Sequence, residues 1–166
     1  MAGAPPGRSS GADPVGSRRV IAIGGRAPDF VLEGSDGRRH DLTQLRREGP
    51  VLLVFYPAND SPGCNRQLVA LEEEWTDYRF RGVQPFAVNP ASAAEHAGFA
   101  ARLGLGFPLL SDPSLEVSRA YGAVEPGGMM IQRGVVLIDQ DGTVLAAIPG
   151  APGASIVLEA LGPEDQ

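Results

Sequence analysis

The 166-residue chain predicts an α/β domain, a central mixed sheet flanked by helices, and three stretches carry that expectation. Residues 51–56, VLLVFY, form a continuous apolar run stopped by Pro57, as in a strand buried on both faces of a parallel sheet. Leu68, Leu71, Trp75 and Tyr78 then recur at helical spacing, with Glu72, Glu73 and Glu74 mostly to one side. Residues 135–138 and 143–146 are two apolar runs joined by a turn containing Asp141-Gly142, the pattern of a β-hairpin.

The other elements fall in order around these three. Residues 27–32 are a short extended piece, followed by the turn signal Ser35-Asp36-Gly37. Residues 41–45 suggest a brief helical turn. After the buried strand, Ser61 is a good N-cap and Pro62 fits the first helical position, so a helix is expected from there to about Tyr78. A strand over 85–88, a helix over 91–103, a short strand over 107–110 and a helix over 113–121 follow, and a helix over 154–161 closes the chain. The order β-α-β-α, a small insertion, then β-β-α is that of a thioredoxin-like fold.

Composition excludes several functional classes. A net charge of −6 and a pI near 4.9 argue against a general nucleic-acid binder, which needs a basic face for phosphates. No segment approaches the roughly 20 apolar residues of a membrane span. The first 19 residues are rich in Gly, Pro, Ser and Arg and hold no apolar run long enough for a secretory signal. We therefore expect a disordered tail over 1–19, one domain over 20–166, no membrane partner and a cytoplasmic protein. All the basic side chains apart from two histidines are arginine, which reads as compositional bias.

Cys64 is the only cysteine, so no disulfide can form within the chain, and metal-binding CxxC spacing is absent. It falls at about the third helical position, where free backbone N–H groups and the helix dipole stabilise an anion. The thiol pKa is accordingly expected below its free value of ~8.5. Gly63 removes a side chain from the approach, and the Ser61 hydroxyl can cap the helix or meet a bound oxygen. The alternative is a cysteine buried as a small hydrophobe. Arg133 is the second unusual residue: with Ile131, Val135 and Leu137 it would share one face of a strand. There it is either a strand-end arginine reaching for water or a fixed cation that meets an anion.

The segment from Pro57 to Cys64, PANDSPGC, resembles the Pro-x-x-x-Thr/Ser-x-x-Cys signature of peroxiredoxins. With Phe55, Tyr56, Asp60 and Gly63 it looks most like the bacterioferritin-comigratory (PrxQ) branch. Residues 27–30 (APDF), 107–112 (FPLLSD), 120–122 (AYG) and Arg133 ahead of Leu137-Ile138-Asp139 extend the similarity from about Gly24 to Ala147. The resemblance implies a thiol-dependent peroxidase acting on hydrogen peroxide and small organic hydroperoxides, with no cofactor. It implies that Cys64 is the peroxidatic thiolate and that Ser61 hydrogen-bonds the peroxide. Arg133 would hold the thiolate and polarise the O–O bond, Pro57 would shield the sulfur, and the Cys64 amide would complete the cradle.

In one respect the chain departs from many relatives on that branch, which carry a resolving cysteine five residues after the first. Val69 stands there, so the chain resembles a one-Cys peroxiredoxin. The sulfenic acid would then be reduced by an external thiol, from thioredoxin, glutaredoxin or a low-molecular-weight thiol. Gln67 stands where many relatives have glutamate or glutamine, and Met129 and Met130 are expected to pack or to line the site. His40 and His96 are expected to be solvated or packing residues rather than partners of Cys64. Monomer and homodimer both stay open, as do a peroxide sensor and an inactive redoxin-fold binding module.

Overall fold

The computed structural model describes residues 21–163, so the expected tail and the last three residues lie outside the described part. Seven strands form one sheet: β1 (Val31–Gly34), β2 (Arg39–Asp41), β3 (Val51–Phe55), β4 (Gln84–Asn89), β5 (Leu109–Ser111), β6 (Gly134–Ile138) and β7 (Val144–Pro149). Their order across the sheet is β2-β1-β5-β4-β3-β6-β7. β3 lies between β4, to which it is parallel, and β6, to which it is antiparallel. The sheet is therefore mixed and thioredoxin-like, with the most apolar strand near its centre.

All five residues of β3 are buried, and their alternation splits the core into two layers. Leu52, Val54 and Tyr56 join Cys64, Leu68, Leu71 and Tyr78 on one face, while Val51, Leu53 and Phe55 join Leu42, Val136 and Tyr121 on the other. The helices are α1 (Leu42–Leu45), α2 (Pro62–Glu73), α3 (Trp75–Phe80), α4 (Ala93–Leu103), α5 (Glu116–Ala120) and α6 (Ala154–Leu158). Each large apolar side chain removed from water contributes about 1.5–3 kcal/mol, so these two layers dominate stability. Among the described residues no helix is long and apolar enough to cross a membrane.

Three sequence expectations shift. The helix expected to reach Tyr78 is two helices, broken at Glu74 (φ −94°, ψ 0°). Glu74 accepts a hydrogen bond from the Ala154 amide at 3.1 Å, and so completes the first turn of α6, whose own cap, Gly153, has no side chain to offer. The helix expected from 113 begins only at Glu116, behind Leu115 at φ +63°. Finally, β6 starts at Gly134, one residue after Arg133. Ile131 pairs with Val124 and packs in the opposite core layer from Val135 and Leu137, so it does not share their face.

Candidate active site

β3 delivers the chain into the site. Tyr56 remains fully buried, and Pro57, with no N–H to donate, ends the ladder. Residues 57–60 then bend back, with Asp60 in the left-handed region at φ +61° and paired with Arg102 of α4 at 2.5 Å. Ser61 takes the extended conformation of an N-cap (φ −105°, ψ 145°), and its Oγ accepts a hydrogen bond from the Cys64 amide at 3.3 Å. Pro62 at the first helical position completes the start expected from sequence.

Cys64 thus occupies the third position of α2, and it is only 1% exposed. The Arg133 Nη2 donates to Cys64 Sγ at 3.0 Å, across 69 residues of sequence. Its Nε donates to Gln67 Oε1 at 2.8 Å. Gln67 stands three residues beyond Cys64, so one face of α2 carries both the sulfur and a brace for its guanidinium neighbour. Gly63 has a steric reason: a Cβ there would come within 3.0 Å of Arg133 Nη2. Any side chain at that position would press on the guanidinium that meets the sulfur.

The four residues singled out from sequence are placed unequally. Ser61 and Arg133 both hydrogen-bond Cys64, one at its amide and one at its sulfur. Pro57 lines a groove against α4 shared with Asn59, Pro90, Ala94 and Phe99. The Cys64 amide, expected in the peroxide cradle, is engaged by Ser61 in this structure. A cleft of about 300 Å³ opens beside the pair, bordered by Gly63, Arg66, Gln67, Arg133 and Pro152. A separate groove of about 470 Å³ around Arg38, His40, Trp75 and Arg79 includes none of these groups.

Neither histidine is solvated. His40 is 8% exposed and its Nε2 lies 3.0 Å from both carboxylate oxygens of Asp36. That contact helps hold Asp36 below the usual carboxylate range even though partial burial pushes the other way. His96 is fully buried, and burial lowers its pKa against the raising effect of its hydrogen-bond partners. Tyr56 has its phenol pushed far up, first by burial and then by the charge of neighbouring Cys64. Met129 and Met130, at 77% and 69% exposed, do not pack. Gln67 carries no distinguishing signal in the sequence; its brace role shows only once Arg133, just ahead of β6, is placed beside α2.

The chain is similar to known proteins in sequence and in shape. A putative peroxiredoxin of Mycobacterium tuberculosis is 34% identical over 133 residues, covering 76% of this chain and 84% of the relative. A chloroplastic peroxiredoxin Q of Triticum aestivum is 31% identical over 125 residues, 75% of this chain; the chain spans only 57% of that longer relative. Among solved structures, the peroxidoxin BcpB of M. tuberculosis superposes with a TM-score of 0.76 at 27% identity, covering 84% of this chain and 95% of the other. The AhpC/TSA family model matches residues 23–147, which take in β1 through β6, the cysteine and the arginine that meets it, and the chain belongs to that family as a peroxiredoxin of the PrxQ type with a single cysteine.

Proposed function

We propose that the chain is a thiol-dependent peroxidase that reduces hydrogen peroxide and small organic hydroperoxides through Cys64, with an external thiol closing the cycle. The observation that carries this reading is the 3.0 Å contact from Arg133 Nη2 to Cys64 Sγ at the start of α2. A guanidinium donating to sulfur favours charge on sulfur, and the first-turn dipole adds to it. The thiolate attacks the terminal oxygen of R–O–OH. An S–O bond forms, the O–O bond breaks, R–O⁻ leaves and takes a proton from water, and Cys64 becomes a sulfenic acid.

The surrounding groups divide the work. Arg133 faces the oxygens on which negative charge grows. Ser61 uses Oγ as an acceptor for the Cys64 amide, which leaves its O–H to donate to a peroxide oxygen. Pro57 shields the approach to the sulfur. An incoming thiol then condenses with the sulfenic acid to a mixed disulfide and water, and a second thiol releases Cys64 reduced. Val69, at the resolving position on α2, is 38% exposed and carries no sulfur, so the second thiol comes from outside. Thioredoxin, glutaredoxin or a low-molecular-weight thiol fills that role, in the cytoplasm, with the protein a monomer or homodimer.

Stopped-flow oxidation by hydrogen peroxide, with Cys64→Ser as control, tests the reading. A rate constant orders of magnitude above that of a free thiolate, with turnover in the presence of a thiol reductant, is expected. A rate no faster than a free thiolate overturns it, and fast oxidation that no thiol reverses favours a peroxide sensor.

A further inference from the structure

A buried polar network lies on the α4 side of the loop that carries Ser61, and the chemistry above does not use it. Asn59 is its hub. Its Oδ1 accepts from the Tyr56 hydroxyl at 2.6 Å and from Asn89 Nδ2 at 3.2 Å. Its Nδ2 lies 3.3 Å from Nδ1 of His96, which sits 37 residues away in α4. His96 Nε2 lies 3.1 Å from the carbonyl oxygen of Leu110 in β5. Tyr56, Asn89 and His96 are each 1% exposed or less.

The fixed donors and acceptors around it favour one set of directions in this network, with His96 also within reach of the Asn89 backbone. The Leu110 carbonyl can only accept, so His96 carries its proton on Nε2 and presents Nδ1 as an acceptor. Asn89 Oδ1 already accepts from the Ala91 amide at 2.8 Å, so Asn89 meets Asn59 with its NH₂. Asn59 must therefore turn its oxygen to Tyr56 and Asn89 and its NH₂ to His96. Flipping the Asn59 amide would set NH₂ against NH₂ at Asn89 and oxygen against the Nδ1 lone pair at His96. Only one orientation satisfies all four groups.

This matters because Asn59 precedes Asp60, the non-glycine residue at φ +61°, and Asp60 precedes the cap of α2. The loop backbone is held in a sparsely populated conformation next to the residue whose side chain the network locks. Tyr56 touches the network through its hydroxyl and packs in the same core layer as Cys64.

We infer that neutral His96, acting through Asn59, is a positioning residue for the peroxidatic loop: it fixes where Ser61 and Cys64 stand relative to Arg133. The inference rests on the peroxidase reading for its main readout. His96→Phe keeps the ring volume and removes both nitrogens, whereas His96→Gln keeps an acceptor for Asn59 and a donor for Leu110. In folded protein, His96→Phe is expected to slow Cys64 oxidation by hydrogen peroxide about tenfold or more, the scale of a sub-ångström misplacement. His96→Gln should restore most of that loss. The losses from Asn59→Ala and His96→Phe should combine to less than their product, because both variants remove the shared Asn59–His96 contact.

Wild-type rates in folded His96→Phe, or losses that multiply in the double variant, overturn the inference. Should His96→Phe fail to fold, Asn59→Ala and the imidazole ¹⁵N spectrum of the unaltered protein decide. A fast Asn59→Ala, or a proton on Nδ1, overturns the inference, and a slowed Asn59→Ala with the proton on Nε2 upholds it. If the unaltered protein itself reacts slowly with peroxide, the peroxidase reading falls separately. The coupling is then read from iodoacetamide alkylation of Cys64, which His96→Phe must alter for the inference to stand.

Discussion

α2 and α4 begin with the same device and end it differently. Each is capped by a serine in extended backbone whose Oγ accepts the amide of the third helical residue, at 3.3 Å for Ser61 and 3.1 Å for Ser92. In α4 that third residue is Glu95, whose carboxylate reaches back to the Ser92 amide at 2.9 Å and closes a capping box. In α2 it is Cys64, and no carboxylate occupies the first turn. The residues between are Ala93-Ala94 in α4, strong helix formers, against Pro62-Gly63 in α2. One first turn is satisfied by itself. The other presents a sulfur in place of the carboxylate, and Arg133, from outside the helix, donates to it.

Breaking the outside partner should give the largest effect. Arg133→Ala is expected to lower the rate constant of Cys64 oxidation by two to three orders of magnitude, the usual cost of removing one preorganised donor. Stopped-flow measurement checks it, and a loss under threefold would return Arg133 to a packing role.

The caps themselves sharpen the contrast. Ser61→Ala and Ser92→Ala should each cost about 1 kcal/mol of stability in denaturant melts. Only Ser61→Ala should also slow oxidation, roughly ten- to a hundredfold, because only Ser61 has a hydroxyl proton beside the reacting oxygens. Ser61→Thr should keep both properties. Equal oxidation rates in the two alanine variants would show that Ser61 is a cap and nothing more.

The smallest effect is a pH dependence lodged in α4. Burial holds His96 below its ordinary pKa of 6.5, with Glu95, the Asn89 region and the Leu110 carbonyl opposing that shift. Below about 6.5 the unfolded chain therefore binds a proton that the folded chain resists. Stability is full above that pH and falls as pH drops through it, by at most about 1.4 kcal/mol per unit. Thermal melts between pH 7.5 and 5 should show a slope that His96→Gln removes.

Much of this contrast was legible in the sequence, where local chemistry decides. Ser61-Pro62 announced a helix start and residues 51–56 a buried strand, and both stand where expected, because caps and apolar runs act over a few residues. Arg133 was visible as an oddity, but Ile131 was assigned to its face on the assumption that strand alternation continued upstream of Gly134. The break at Glu74 was not legible, since its cause is the Ala154 amide, 80 residues on. His96 was expected to be solvated or packing without a specific task. Its partner, Asn59, reads as an ordinary turn residue until β4 and α4 fold beside the loop.

The depth of the sulfur makes the two halves of the cycle unequal in scale. At 1% exposure Cys64 can be reached by an oxidant a few atoms long. A thiol that must line up with the sulfenic S–O bond brings a whole molecule, or a whole protein, behind it. On the proposed cycle, resolution by an external thiol requires the ground around residue 64 to open and reclose. The Pro-Gly-Cys turn, without helix formers and without a closing carboxylate, is where the chain can most easily give way.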